Sequence, residues 1–470
     1  MSIVAAFAVP HPPLIIPGVG SGKEKIASTI AAYDEVGRRV AELAPDTVVI
    51  SSPHAVMYAD YIHISPGRGA QGGFSMFGAP QARYEAVYDQ EFVRALAHAC
   101  AQEGLSAGCE GERDPTLDHG TMIPLHFIQR HTKDFQVVRM GISGLSPEDH
   151  YRMGILVQRV ARELGRRVAY VASGDLSHKL LKSGPYGFAP EGPQFDEKVT
   201  HAFSTGDLLP LLTMDRGFAE RAAECGLRSF QIMAGALDRT PVTSELLSLE
   251  GPFGVGYGVG CFTPTGPEGS DYTRDYLTRY EEWHAADMAA RKAAEDPLVR
   301  LARRSLETYV RTGLPLQLHD PDEELAAILA QIPDGRAGCF VSLKKDGELR
   351  GCIGTILPTS PSLTDEIVGN AISAGTRDPR FSPVTEDELP ELVYDVDVLT
   401  TPEPIDGPDQ LDVRRYGVIV STEDGRRGLL LPDLDGVDTV DEQIHIATRK
   451  GHIGPDEEVS LQRFEVVRHV

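Results

Sequence analysis

The sequence predicts a two-part chain whose first 262 residues form an α/β layered domain around a central, mainly parallel sheet. Two observations carry that expectation. Short apolar, β-branched runs alternate with stretches of helical periodicity from residue 3 to residue 262, as strand–helix–strand crossovers do. A compositional break then falls at Pro264–Ser270 (PTGPEGS), and a polar, charged stretch follows to Glu295 before the patterning restarts near Pro297. At 470 residues the chain exceeds one typical core. The division is therefore 1–262, a linker over 263–295, and 296–470.

Taken in order, Ile3–Val9 reads as a buried strand that runs into Pro10-His11-Pro12-Pro13. Prolines on both sides of His11 force an extended, stiff turn and so fix where the imidazole points. Lys23–Ala44 has helical periodicity, and Asp46–Ser51 is a second buried strand that stops at Ser52-Pro53-His54. Residues 60–90 are Gly-rich and irregular, an excursion from the sheet that reads as a loop or lid. Asp89–Glu103 returns to helix, and Leu117-Asp118-His119-Gly120 reads as a tight turn before another. Phe135–Ile142 is a strand and Pro147–Leu164 a helix. Arg167–Ala172 is a further strand, entering Ser173-Gly-Asp175-Leu-Ser-His178. Ala222–Leu237 reads as one helix with Glu224 and Cys225 near its start, and Val242–Leu249 and Gly256–Phe262 as the closing strands. In the second half, Leu298–Thr312 is an amphipathic helix. Gly338–Leu343 and Glu348–Ile356 form a hairpin around Asp346-Gly347, and Val393–Leu399 and Gly417–Ser421 add strands.

Composition narrows the partners. The formal net charge of −24 argues against nucleic acid and anionic membrane surfaces. No apolar run approaches the roughly 18 residues of a membrane span, and the apolar N-terminus lacks a basic leader, so it reads as the first strand. Six scattered cysteines without a CxxC pair exclude a zinc ribbon and suit reduced thiols in a cytoplasm. A homo-oligomer stays open.

Four turn histidines, 11, 54, 119 and 178, lie where strands end, the edge at which ligands sit in open α/β sheets. With a carboxylate they suggest a mononuclear metal centre, and imidazole suits Fe, Zn and Cu alike. The Pro-framed His11 and His54 are the natural ligand pair. Asp118 and Asp175 precede His119 and His178 by one and three residues and could orient those rings, which fits acid/base work better than ligation. A metal-dependent hydrolase or lyase on the same histidines is equally consistent with the residues alone. In the second half, Arg350-Gly351-Cys352-Ile353-Gly354 places a thiol between two glycines beside an arginine. Cys352 reads either as a nucleophile with Arg377, Asp378 and Arg380 lining its groove, or as a small core residue.

Phe7-Ala-Val-Pro-His-Pro-Pro-Leu14, Ser51-Ser-Pro-His54, Leu117-Asp-His-Gly120 and Ser173-Gly-Asp-Leu-Ser-His178 together resemble the class III extradiol ring-cleavage dioxygenase superfamily, which includes the Memo proteins. The resemblance implies a non-haem Fe(2+) held by His11, His54 and a glutamate, with a catechol-like or other phenolic substrate. It also implies His178 as the acid/base and His119 as a hydrogen-bond donor in the pocket. Dioxygenases of the superfamily place a Glu ahead of the last long helix and Memo proteins a Cys-Gly, and this chain has Glu224-Cys225-Gly226. Glu224 is the expected third ligand because oxygen ligation suits Fe(2+), with Cys225 the alternative that would favour Cu or Zn(2+) and a Memo-like, non-oxygenase site. Glu245 and Glu250 are lesser candidates. Residues 296–470 resemble the α+β AMMECR-type domain through Gly338–Leu343, Leu349–Gly354, Ala374–Phe381 and Gly436–Gln443. The module order is similar to that of the AmmeMemoRadiSam system, which implies a radical-SAM partner protein.

Overall fold

The computed structural model describes residues 2–470 apart from 113, 114, 435 and 456. The chain divides into two compact units, one ending at His284 and the other running from Ala285 to Val470.

The first unit is built on a six-stranded sheet. Its elements are β1 (Ile3–Val9), α1 (Ala27–Leu43), β2 (Thr47–Ser51), the hairpin β3 (Gly69–Phe74) and β4 (Ala79–Val87), α2 (Gln90–Gln102), α3 (His119–Gln129), β5 (Gln136–Met140), α4 (Pro147–Glu163), β6 (Val168–Ser173), α5 (Glu191–Thr205), α6 (Arg216–Ala222), α7 (Leu227–Ala236), β7 (Val242–Glu250) and β8 (Tyr257–Pro264). The strand order is β5-β2-β6-β1-β8-β7. The first four strands pair in parallel, and β8 and β7 close one edge antiparallel, so the sheet is mainly parallel as expected.

Both faces are covered, which is why the central strands read as continuous apolar runs rather than alternating ones. Phe7, Val48, Ile50 and Val171 point towards Tyr33 and Val36 of α1 and Phe127 of α3. Ala6, Val49, Tyr170 and Ala172 point the other way, towards Phe92 of α2, Val157 of α4 and Phe230 of α7. The Gly-rich excursion is ordered as the β3–β4 hairpin.

Two stretches differ from the sequence reading. Residues 222–237 are not one helix: α6 ends at Ala222, Ala223 adopts φ +53°, and the chain turns before α7 starts at Leu227. A left-handed residue ends an α-helix, so Glu224 and Cys225 occupy a turn. The expected linker is also structured. Arg274 donates to the Gly206 carbonyl at 2.7 Å, Tyr276 and Tyr280 are buried in the first core, and Tyr276–Ala294 is a single helix, α8. Two large aromatic rings and a buried arginine supply the apolar area and hydrogen bonds that a free linker lacks.

The second unit is α+β. Its elements are α9 (Pro297–Thr312), α10 (Glu323–Leu329), β9 (Cys339–Lys345), β10 (Glu348–Gly354), α11 (Leu363–Thr376), β11 (Val393–Leu399), β12 (Glu403–Ile405), β13 (Tyr416–Ser421), β14 (Arg427–Leu430), α12 (Val440–Lys450) and β15 (Ser460–His469). The antiparallel sheet runs β10-β9-β11-β15-β13-β14, with β12 on β15. Leu306 of α9 and Ile367 and Ala371 of α11 cover Val341, Leu343 and Val396 of the sheet.

Candidate metal centre

Three adjacent parallel strands deliver the site. β1 ends two residues before His11, β2 three before His54, and β6 runs directly into Asp175 and His178. Because β2, β6 and β1 are neighbours, their carboxyl ends bring three turns to one place. The turns are pinned individually. The Tyr33 hydroxyl donates to the Pro10 carbonyl, and the His11 backbone N–H donates to Asp175 at 2.7 Å. The fourth contributor is the turn between α6 and α7, which fits only because two glycines meet there. A Cβ on Gly174 would stand 2.1 Å from the Gly226 Cα.

The donor atoms converge. His11 Nε2 lies 3.0 Å from His54 Nε2 and 3.5 Å from Cys225 Sγ. The three donors fall within 4.8 Å of one another, the spacing of ligands around one ion. His11 Nδ1 is engaged by the Ser173 hydroxyl at 3.1 Å, which directs Nε2 inward. Burial depresses His11, and burial with the neighbouring imidazoles depresses His54 to about 4, so both rings are neutral at neutral pH and offer nitrogen lone pairs. Burial, with the Asp175 and Glu224 carboxylates nearby, holds the Cys225 thiol well above its ordinary value. Two lone-pair nitrogens and a thiol facing one another fit a metal ion.

Beside the donors stands a proton-handling pair. Asp175 Oδ2 is 3.9 Å from both His11 Nε2 and His178 Nε2. Burial pushes the Asp175 carboxyl up, but His11, His178 and the His11 backbone N–H outweigh it, and the carboxyl stays below its ordinary range. Burial likewise opposes the His178 charge, yet Asp175 and the Ala223 carbonyl, which meets Nδ1, leave its pKa raised. His119 lies across the site, its ring centroid 4.1 Å from His54 and 5.4 Å from His11, and burial lowers it to about 4.

His11, His54, His119, Asp175 and His178 are thus brought together as the sequence anticipates. Glu224 is not in the donor group. Its carboxylate accepts the Leu227 N–H at 2.7 Å, capping α7, while the turn sends the next side chain, Cys225, to the imidazoles. Glu245 pairs with Arg39 and Glu250 accepts from Thr29, both away from these donors. Asp118 does not orient the His119 ring. It caps α3 through Thr121 (2.9 Å), accepts the Ser52 hydroxyl at 2.6 Å and pairs with the buried Arg139 at 3.1 Å. Since Ser52 also accepts the His54 N–H at 3.2 Å, one carboxylate ties the His54 turn to the His119 helix. No sequence pattern marks Arg139, which reads as one more residue of a strand.

In the second unit, Cys352 sits on β10 opposite Ser342 of β9, whose hydroxyl reaches Sγ at 3.2 Å. Asp378 accepts the Cys352 N–H at 2.9 Å, and Arg380 pairs with Asp378 at 2.7 Å. Arg350, expected to activate the thiol, pairs with Glu388 at 2.7 Å through one nitrogen and 3.0 Å through another.

A layered α/β domain with two imidazoles and a His–Asp pair at its strand ends, and a thiol on the turn that faces them, is a domain of the ring-opening dioxygenase type. The chain belongs to that family: the catalytic LigB subunit of aromatic ring-opening dioxygenase is matched over residues 5–260, and AMMECR1 over residues 299–469. A protein of Clostridium acetobutylicum is 37% identical, spanning 100% of this chain and 99% of its own length. A Thermotoga maritima protein is 51% identical over 37% of this chain and 98% of its own. Among solved structures, an uncharacterized protein from Pyrococcus horikoshii is 33% identical at a TM-score of 0.32, covering 36% of this chain and 88% of that one.

Proposed function

We propose that the first domain is a mononuclear metal oxidoreductase acting on a catechol-like or other phenolic substrate. His11, His54 and Cys225 would hold the ion. The observation that carries the reading is the convergence of two neutral imidazole nitrogens and a thiol beside a His–Asp pair. When bound, the metal supplies a Lewis-acidic, redox-active centre against which a phenol oxygen is made acidic. The chain's own residues do the rest. His178, with Nδ1 held by the Ala223 carbonyl, offers Nε2 to take the phenolic proton, and Asp175 stabilises the imidazolium that results. Neutral His119 donates or accepts one hydrogen bond at the far side of the substrate.

A thiolate among the ligands favours copper or zinc over Fe(2+), and redox chemistry on a phenol favours copper of these. One observation keeps an iron ring-cleavage reading as the second: Asp175 places a carboxylate oxygen 3.9 Å from His11 Nε2 and forms a second donor group with His178 and Cys225. Anaerobic purification with elemental analysis, then oxygen uptake on a panel of catechols, separates the two. Copper retained by wild type and lost in Cys225→Ser supports the first; iron retained in Cys225→Ser with oxygen consumption supports the second. A protein that retains no metal overturns both. The fusion to an AMMECR1 domain supports a role beside a radical-SAM partner, and co-purification from a host expressing both is the test.

A further inference from the structure

The turn that carries Cys225 holds a conformation its own sequence does not favour. Ala223, the residue after α6, lies at φ +53°. A left-handed backbone is disfavoured for alanine, whereas alanine and glutamate are strong helix formers. The competing conformation is therefore a longer α6 running through Ala223 and Glu224, which would redirect the Cys225 side chain from His11 Nε2. In such a helix the carbonyls of Ala222 and Ala223 would accept from residues 226 and 227. Here another turn takes both. Ala222 accepts the Ser177 hydroxyl at 3.0 Å and the His178 N–H at 3.1 Å, and the Ala223 carbonyl meets His178 Nδ1. The Leu227 N–H is left to Glu224. Ser177 is itself fixed. It is fully buried, its N–H donates to Asp196 at 2.8 Å, its carbonyl accepts the Gly256 N–H at 2.8 Å, and its hydroxyl accepts the Lys179 N–H at 2.9 Å.

We infer that Ser177 is a positioning residue for the metal centre: its hydroxyl latches the Ala222 carbonyl, keeps Ala223 left-handed and so aims the Cys225 thiol at His11 and His54. The inference rests on the reading that Cys225 is a metal donor, and it assigns what holds that donor in place. Both bonds to Ala222 come from outside the imidazole, so the latch outlasts loss of the His178 ring. The loop that supplies the proton acceptor thereby also sets the third donor, and the two parts of the site assemble together.

The test uses the full chain, stripped of metal and titrated anaerobically with Co(2+), which shows a near-ultraviolet charge-transfer band when a thiolate binds it. Ser177→Ala is expected to weaken Co(2+) about tenfold and to lower that band, because losing one buried hydrogen bond shrinks the fraction of turns that present the thiol. Glycine takes a left-handed backbone freely. Ala223→Gly in the Ser177→Ala background is therefore expected to restore the band and bring Kd within about threefold of wild type. A role for Ser177 in packing alone would not be rescued by a backbone change at another position. Ala223→Val leaves Ser177 intact but resists positive φ. It is expected to lose the band with the fold retained by circular dichroism, and it decides the matter if Ser177→Ala does not fold. A wild-type band in Ser177→Ala or Ala223→Val, or a loss that Ala223→Gly fails to restore, overturns the latch. Wild type that binds Co(2+) without a thiolate band overturns Cys225 as a donor, and with it the reading on which the latch rests.

Discussion

Cys225 and Cys352 look alike in sequence, each next to a glycine with a charged side chain one or two positions before it, yet they sit in opposite environments. Cys225 stands on a turn with its sulfur 3.5 Å from an imidazole nitrogen, among donors whose lone pairs converge. Around Cys352 the neighbours satisfy one another: Asp378 takes the backbone N–H and Arg380, and Arg350 is spent on Glu388. Lone pairs that face each other need a cation, whereas a closed set of ion pairs and hydrogen bonds needs nothing more. Proximity of polar residues is therefore a weaker sign of a site than the direction of their unshared donors and acceptors.

The comparison breaks most sharply at the metal. His11→Ala and Cys225→Ser are each expected to lower metal affinity by at least about 100-fold, since a three-donor site reduced to two is no longer closed. Elemental analysis after dialysis reads this, with circular dichroism confirming the fold. His178→Ala is expected to keep the metal and reduce turnover by about 10²–10⁴-fold, the span of a lost general acid/base. If metal is lost together with turnover in that variant, His178 is a ligand and the division of labour is wrong. Asp118→Asn retains an oxygen for Ser52 and Thr121 but drops the charge that Arg139 pairs with, and metal affinity is expected to fall about tenfold.

Much of this was legible in the sequence because the strands announce themselves. Ile3–Val9, Thr47–Ser51 and Val168–Ser173 are apolar on both faces, and each ends in turn residues followed by a functional side chain. Strand ends in a parallel sheet lie together, so His11, His54 and His178 could be grouped without coordinates. The third donor of the group, Cys225, could not. Helical periodicity runs straight through residues 222–237, and only the left-handed backbone of Ala223 breaks it. Alanine carries no sequence sign of such a conformation, so the carboxylate was ranked above its neighbour on chemistry while the turn decided otherwise. Arg139 was missed for a related reason: it acts through Asp118, which is distant from it in sequence.

A smaller effect concerns the acid behind the site. Burial raises Asp196 to about 7, against the opposing Ser177 N–H, which it accepts at 2.8 Å, and His178. A carboxyl whose folded pKa lies above its unfolded value near 3.8 stabilises the fold fully below that value, and the contribution is lost as pH rises through 7. Stability should thus fall between pH 5 and 8 by up to about 3 kcal/mol from this group. Asp196→Asn should flatten that slope in urea titrations at each pH. A slope unchanged by the substitution would show that the carboxyl is already ionised at pH 5.

The smallest effect belongs to Cys352, and it tests the comparison from the other side. If its neighbours form a closed set, the thiol carries no charge that the fold depends on, and Cys352→Ser exchanges one weak partner of Ser342 for another at nearly constant volume. The substitution should change stability by less than about 1 kcal/mol and leave the metal content of the first domain untouched. Alkylation of the folded protein supplies the sharper reading, because reactivity follows thiolate character as well as access. Cys352 is partly exposed and Cys339 fully buried, so some difference in rate is expected from access alone. The comparison is therefore made against the same two thiols in Glu388→Gln, which frees Arg350 from its carboxylate partner. A Cys352 rate that rises in this variant while Cys339 does not would mean that Glu388 normally withholds the arginine from the thiol. An unchanged rate would mean that the guanidinium never reaches it, and that Cys352 belongs to the packing of the β9–β10 hairpin.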